Sequence, residues 1–129
     1  MSAKTTAEKL LIKPGSRVWA SDPARFALVG PPDGVHAVDA PADADVALVS
    51  AEDSASLRAT LAEHDLHGAG AVWVLYPKGN RADINRDSLW PILAEHGLRP
   101  ISQVSVDDTW SALRFRPLRP DEPPFTGGR

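Results

Sequence analysis

The sequence predicts an α/β fold in which helices cover a mainly parallel β-sheet. Strand-like and helix-like segments alternate along a chain of 129 residues, which is typical of parallel sheets. The segments DVALVS (45–50) and AVWVLY (71–76) are continuously apolar, as in strands buried on both faces. A strand–turn–strand pattern over residues 101–116 adds one antiparallel strand near the end of the domain.

The first half of the chain is predicted to hold three strands and two helices. A short helical turn is expected at residues 7–11, and Lys13-Pro14-Gly15 forms a turn before the first strand. Asp22 is the expected N-cap of the first helix, with Pro23 at its first position. Leu57 and Leu61 give the second helix its apolar face. The strands are expected at residues 16–21, 35–38 and 45–50, the helices at 22–30 and 52–65, and a loop at 40–45.

The second half is predicted to contain a strand, a helix and a closing hairpin. Pro91 fits only the first turn of a helix, where its missing N–H costs nothing. The third helix is therefore expected to begin near Asp87, capped by that residue, and to end at Gly97. Strands at 101–106 and 110–116 are expected to flank a tight Asp107-Asp108-Thr109 turn.

The chain is long enough for one domain with a substantial core. We predict a lead at residues 1–11, a single α/β domain at 12–117, and a Pro- and Gly-rich tail at 118–129 that is expected to be disordered.

The composition argues against several function classes. The formal net charge is only −3, with acidic and basic residues interspersed, so binding to nucleic acid or an anionic membrane is not expected. There are no cysteines, which excludes disulfides, thiol catalysis and thiolate metal sites. No segment has the length and apolarity of a signal peptide or membrane span, and a cytoplasmic location is expected.

Four segments resemble the class I methyltransferase-like Rossmann fold. KPGSRVWASD, DVALVS, AVWVLYPKG and HGLRPISQVSVDDTWSALRFRP occur in the order found in that fold. Over residues 10–117 the chain also resembles an uncharacterised bacterial family of small proteins, through NRDxxW and DDTWSALRF. The resemblance implies a small Rossmann-like three-layer sandwich. In it, the antiparallel strand 110–116 lies between strand 71–76 and an edge strand 101–106. It implies no established activity.

The chain departs from methyltransferases at the end of its first strand. Methyltransferases have a glycine-rich turn there, whereas this chain has Ala20 to Phe26 and no glycine before Gly30. Phe26 is expected to fill the adenosine space, so S-adenosylmethionine binding is not expected. NAD binding is not expected either, because the chain lacks a G-x-G-x-x-G motif. We therefore predict no cofactor.

Other catalytic motifs are also missing from the sequence. Its four histidines, including His64 and His67 in one predicted loop, show no metal-ligand spacing, and no metal site is predicted. No G-x-S-x-G motif is present. Trp19 and Trp73 lie in predicted strands and are expected to be core residues.

The best candidate site is the charged connection after the 71–76 strand, together with the predicted hairpin turn. Ligands of open α/β sheets bind outside the carboxyl ends of the strands, and a helix N-terminus attracts anions. The basic residues favour an anionic or phosphate-bearing ligand, but an ion-paired, capped loop without a ligand is the favoured alternative. Likewise, Asp107 and Asp108 are interpreted as turn residues, and this interpretation is preferred to a general base or a pair of Mg²⁺ ligands. The candidate residues are Lys78, Arg81, Asp83, Arg86, Asp87, Asp107 and Asp108, with Trp90 and Trp110 as walls.

Two function hypotheses follow. The first is a non-catalytic Rossmann-like module that binds a protein partner or forms a homodimer. The second is a binder of, or an enzyme acting on, an anionic small molecule at the carboxyl-end rim of the sheet.

Overall fold

The computed structural model describes residues 9–10, 12–28, 30, 33–64, 66, 69–78 and 86–117. For six of these residues only the backbone is described: Pro23, Arg25, Leu28, Arg86, Asp87 and Trp90.

The described strands form one mixed sheet. They are β1 (Arg17–Ala20), β2 (His36–Ala37), β3 (Val46–Ser50), β4 (Ala71–Pro77), β5 (Leu98–Ser105) and β6 (Trp110–Pro117). Their order across the sheet is β2-β1-β3-β4-β6-β5. Neighbouring strands from β2 to β4 are parallel, while β6 is antiparallel to both β4 and β5. The predicted topology is confirmed, with β6 inserted beside β4 and β5 at the edge.

Side-chain caps fix where the first two helices begin. These helices are α1 (Pro23–Leu28) and α2 (Ser54–Glu63), and a 3₁₀ turn lies between them at Pro41–Asp43, within the predicted loop. Asp22 Oδ1 accepts a 2.9 Å hydrogen bond from the Ala24 N–H. Asp53 and Ser56 form a capping box in which Asp53 Oδ1 accepts from the Ser56 N–H at 2.8 Å. Such a box satisfies two amide donors at the start of a helix.

The third helix begins close to the predicted position but with a different cap, and the strand after it begins earlier than predicted. Helix α3 spans Arg86–Ala94, so Asp87 is its second residue and not its cap. Pro91 lies inside the helix, beyond the first turn. Gly97 ends the segment as predicted, with a φ of +74°, which glycine adopts readily. Strand β5 begins at Leu98 and includes Pro100, because an edge strand tolerates proline.

Apolar side chains cover both faces of the sheet. On the front face, α2 and α3 pack Leu57, Leu61, Leu89 and Leu93 against the sheet. On the back face, the cluster includes Leu10 and Ile12, which precede β1, and Trp73, Trp110 and Ala112 from the sheet. Trp19 and Trp73 are 5% and 1% exposed, as expected for core residues. Because both faces are covered, a ligand site is expected at the carboxyl ends of the parallel strands.

Among the described residues, no helix is long and apolar enough to cross a membrane.

Candidate functional site

The carboxyl ends of β4 and β5 and the start of β6 meet at one rim of the sheet. The Lys78 N–H donates a 2.8 Å hydrogen bond to the Thr109 carbonyl oxygen, and Pro77 pairs with Trp110 in the ladder. Ser105 at the end of β5 pairs with Ser111. Lys78, which directly follows β4, and the Asp107-Asp108-Thr109 turn therefore lie side by side, as the predicted topology requires.

A cleft of about 430 Å³ opens at this rim. The cleft, which we call the rim cleft, is lined by Tyr76, Lys78, Gln103, Ser105 and Ser111. Tyr76 belongs to the front cluster. Ser105 lies directly opposite Ser111 in the ladder, and Gln103 lies opposite Leu113, which also belongs to the front cluster. Opposed residues share a face of the sheet, so these strand residues line the same side as α3.

Hydrogen bonds fix the polar side chains of the rim cleft. Gln103 Nε2 donates to the Tyr76 hydroxyl oxygen at 2.7 Å and to Ser111 Oγ at 3.2 Å. Ser111 Oγ in turn donates to the Val104 carbonyl oxygen at 3.2 Å. Both N–H donors of the Gln103 amide thus have acceptors, which orients the amide relative to Tyr76.

The ammonium of Lys78 lies at one side of this network. Lys78 Nζ donates to Ser105 Oγ at 2.6 Å, and no described carboxylate lines the cleft. An ammonium has three donors, so its bond to Ser105 leaves capacity for a further acceptor. Hydroxyl, amide and ammonium groups on one concave surface suit a ligand with negatively charged oxygens.

Asp107 stabilises the turn beside the cleft. Its Oδ1 accepts hydrogen bonds from the N–H groups of Thr109 at 2.8 Å and Trp110 at 2.7 Å. Aspartate commonly forms such bonds to the following backbone in turns. Asp108 is exposed. This geometry agrees with the interpretation of Asp107 as a turn residue, because its carboxylate accepts hydrogen bonds from the backbone of the turn.

The other candidate residues are distributed differently. Trp110 is 8% exposed within the back cluster, so it is a core residue and not a wall of the rim cleft. Arg86 and Asp87 begin helix α3, and Trp90 lies further along it. Arg81 and Asp83 lie outside the described residues.

Sequence reasoning missed four residues of the rim cleft: Tyr76, Gln103, Ser105 and Ser111. The alternation of polar and apolar residues in QVSV at 103–106 places Gln103 and Ser105 on one face of a strand. That signal is present in the sequence. It would have identified polar groups on the same rim as Lys78.

The carboxyl end of β1, where methyltransferases have their glycine-rich turn, lies beside a smaller cleft than the rim cleft. Ser21 Oγ accepts a 2.8 Å hydrogen bond from the Ser50 N–H, which links the ends of β1 and β3. Phe26 and Asp39 line a second cleft of about 300 Å³ beside β1 and β2. This volume is at the lower limit for small-molecule pockets. The absence of S-adenosylmethionine binding stays a prediction.

A third cleft, of about 430 Å³, lies near the end of α2 and contains two imidazoles, those of His64 and His96. The ring of His64 packs against Trp19, with their centroids 4.6 Å apart. In the part of the chain that the structure describes, no three His, Asp or Glu side chains are arranged to hold a metal ion.

Structural comparison finds similar folds among solved proteins. A protein of the NADB-Rossmann superfamily from Streptococcus agalactiae matches with a TM-score of 0.56 and 10% identity, over 98% of this chain and 72% of that one. LepI, solved in complex with SAH and a substrate analogue, matches with a TM-score of 0.51 and 13% identity. That match covers 86% of this chain, which spans only 38% of the LepI chain.

The chain has a Rossmann-like, methyltransferase-like fold. At these identities the similarity shows the fold alone. No protein-family model matches the chain, and no curated protein matches it significantly. The resemblance to an uncharacterised bacterial family therefore stays a prediction.

Proposed function

We propose that this Rossmann-like domain binds an anionic small molecule in the rim cleft. The observation that carries the proposal is the 2.6 Å bond from Lys78 Nζ to Ser105 Oγ. It holds a cation beside the oriented Tyr76–Gln103–Ser111 network, at the sheet edge where α/β proteins bind ligands. Phosphate and carboxylate groups are the oxyanions that such donors recognise.

The proposal is for binding, with no reaction assigned. In the described part of the cleft, Ser105 and Ser111 bond to Lys78 and Gln103, and no histidine or carboxylate that would activate them lines the cleft. A serine nucleophile needs an adjacent general base. The neighbour LepI binds SAH, which makes S-adenosyl compounds one ligand class to test here.

A binding screen with a Lys78 variant tests the proposal. Thermal shift and calorimetry would compare nucleotides, sugar phosphates and S-adenosylmethionine on wild type, Lys78→Met and the control Lys13→Met. Lys13 is exposed and lies before β1. A ligand at about 100 times its Kd stabilises the protein by about 2.7 kcal/mol. We expect Lys78→Met to weaken binding at least about tenfold, or about 1.4 kcal/mol, with little change in Tm.

The control variant separates a specific site from general attraction. Lys13→Met is expected to bind like wild type, because Lys13 is not part of the cleft. Equal binding by Lys78→Met and wild type, or no binding by wild type to any compound, would reject the rim cleft as a ligand site.

A second candidate function is self-association through the edge of β5. Among the described strands, β5 pairs only with β6, and Ile101 is 42% exposed where the ladder register shifts between Pro100 and Ser102. An exposed strand edge can pair with another chain, although Pro100 and the bulge oppose that pairing. Light scattering of wild type and Ile101→Lys tests it. A wild-type dimer that the variant dissociates supports this function, and a wild-type monomer rejects it.

A further inference from the structure

The donors and acceptors of the rim cleft specify more than a negative charge in its ligand. Ser111 Oγ donates its single proton to the Val104 carbonyl oxygen, so towards Gln103 it can only accept. The nitrogen of the Gln103 amide therefore faces Ser111 Oγ at 3.2 Å and the Tyr76 hydroxyl at 2.7 Å. The amide oxygen, Oε1, is left outside the network.

Two hydrogen-bonding groups of the network remain open. In the described part of the chain, no residue donates to Gln103 Oε1, and none accepts the proton of the Tyr76 hydroxyl. Gln103 is exposed, whereas Tyr76 is only 4% exposed, and a buried tyrosine usually has a partner for its O–H group. The open acceptor and the open donor lie next to each other, because the two side chains are hydrogen-bonded.

A hydroxyl group matches this pair. It can accept from the Tyr76 O–H and donate to Gln103 Oε1 at the same time, whereas an ionised phosphate oxygen can only accept. In the same cleft, the Lys78 ammonium has N–H donors beyond the one that it gives to Ser105. The rim cleft therefore presents a cation for an oxyanion and a separate pair of groups for a hydroxyl.

We infer that the ligand of the rim cleft is a hydroxylated phosphate ester of the sugar phosphate class. This inference rests on the proposed function and specifies its ligand. The phosphate would bind Lys78 and Ser105, and a hydroxyl of the same molecule would bind Tyr76 and Gln103. Each of the five described residues that line the cleft carries a polar group. The Tyr76 ring is packed in the front cluster and offers no face for stacking a base, so the lining favours a sugar phosphate over a nucleotide.

Calorimetry on the full chain tests the need for a hydroxyl. The probes are the phosphate monoesters of glycerol, ribose and glucose, each on the terminal hydroxyl, and propyl phosphate, which has the phosphate without free hydroxyls. We expect at least one of the three hydroxylated esters to bind at least about tenfold more tightly than propyl phosphate. A site with groups that hydrogen-bond a ligand hydroxyl discriminates against an analogue without it.

Variants of the pair test which residues set this preference. Gln103→Met removes the amide from a side chain of similar length, and Tyr76→Phe removes the hydroxyl and keeps the ring. Each variant is expected to lower the ratio of the propyl phosphate Kd to the sugar phosphate Kd at least about fivefold, since each removes one partner of the ligand hydroxyl. Gln103 is exposed, so Gln103→Met decides the matter if Tyr76→Phe fails to fold.

Ser102→Ala is the matched control. Ser102 directly precedes Gln103 on β5 and is also exposed, but successive side chains of a strand point to opposite faces. This variant is therefore expected to keep the wild-type preference. A preference that persists in Gln103→Met, or that Ser102→Ala loses to the same extent as Gln103→Met, would overturn the inference.

Lys78→Met separates the failure of this inference from the failure of the proposed function. If wild type binds propyl phosphate as tightly as the hydroxylated esters, and Lys78→Met loses both, the rim cleft remains an oxyanion site and the hydroxylated ligand is wrong. If wild type binds none of these esters, or Lys78→Met binds them as tightly as wild type does, the inference and the binding of phosphate esters in the rim cleft are both wrong.

Discussion

The indole nitrogen of Trp73 donates a 3.0 Å hydrogen bond to the backbone carbonyl oxygen of Leu10. The two residues are 63 positions apart, and their exposed fractions are 1% and 0%. The bond joins the segment before β1 to the middle of the sheet. Leu10 is therefore packed as part of the back cluster.

Trp73→Phe is expected to destabilise the protein because it leaves the Leu10 carbonyl without its donor. The loss of that bond costs about 1–3 kcal/mol in unfolding free energy, measured by urea denaturation. Trp19→Phe is the matched control, since Trp19 is also buried and packs against the His64 ring. An equal loss in the two variants would show that the Trp73–Leu10 bond contributes nothing beyond ring packing.

Asp107→Ala is expected to lower stability, while the neighbouring Asp108→Ala is expected to have almost no effect. Asp107 accepts from two backbone N–H groups, those of Thr109 and Trp110, and each such bond contributes about 0.5–1.5 kcal/mol. Asp108 is exposed, so its replacement should stay within about 0.5 kcal/mol of wild type.

Chemical denaturation of both variants checks this difference. The two variants are closely matched, because each loses one aspartate carboxylate and the two positions are adjacent. Equal stability of Asp107→Ala and Asp108→Ala would contradict the turn role of Asp107 and reopen its assignment to a ligand site.

Asp45 is expected to make stability depend on pH in the acidic range. The Arg17 N–H donates to Asp45 Oδ2 at 2.9 Å. This bond, with the Arg17 guanidinium 3.6 Å from Oδ1, lowers the pKa of the Asp45 carboxyl below its ordinary 3.8. A lowered folded-state pKa gives stability that is present above the unfolded pKa and is lost as pH falls through the folded pKa.

Urea unfolding from neutral pH to below 3.8 measures this contribution. Asp45→Asn is expected to remove the part of the acid dependence that comes from this group. Arg17→Met should retain most of it, because the backbone N–H of residue 17 remains and is the largest cause of the shift. The same acid dependence in wild type and Asp45→Asn would show that Asp45 does not control it.

The topology could be predicted because two independent signals agreed. Continuous apolar runs marked β3 and β4, and the Asp107-Asp108-Thr109 turn forced an antiparallel partner for β5. The boundary of β5 was harder to predict, because the strand was expected at 101–106, after Pro100, whereas it begins at Leu98 and includes that proline. At a sheet edge the missing N–H of Pro100 faces no partner strand, so tertiary position decided the boundary.

The sequence predicted where the candidate site lies, but not which side chains surround Lys78. The ends of the predicted strands were enough to bring Lys78 next to the Asp107 turn. The groups that surround Lys78 depend on the β5–β6 register, which sets Ser105 opposite Ser111. The alternation in residues 103–106 carries part of that register, but the exact pairing also depends on the turn and on the irregularity between Pro100 and Ser102, which only the folded hairpin shows.

Gly70→Ala is expected to destabilise the β3–β4 pair. A Cβ atom at Gly70 would lie 2.6 Å from the Asp45 carbonyl oxygen, a distance that real Cβ atoms do not tolerate. The Asp45 oxygen cannot move freely, because it accepts from the Ala71 N–H at 2.9 Å. Gly70 N also donates to the Ala44 carbonyl oxygen at 3.2 Å.

Relieving the overlap at Gly70 would require a backbone shift, and overpacking of this kind costs about 1–3 kcal/mol. The measurement is the urea midpoint, which should fall while the slope of the transition stays constant. Gly70→Ser introduces the same Cβ and should lose at least as much stability. Wild-type stability in both variants would mean that β3 and β4 can separate at this point without losing the ladder, contrary to the close approach of Gly70 and Asp45.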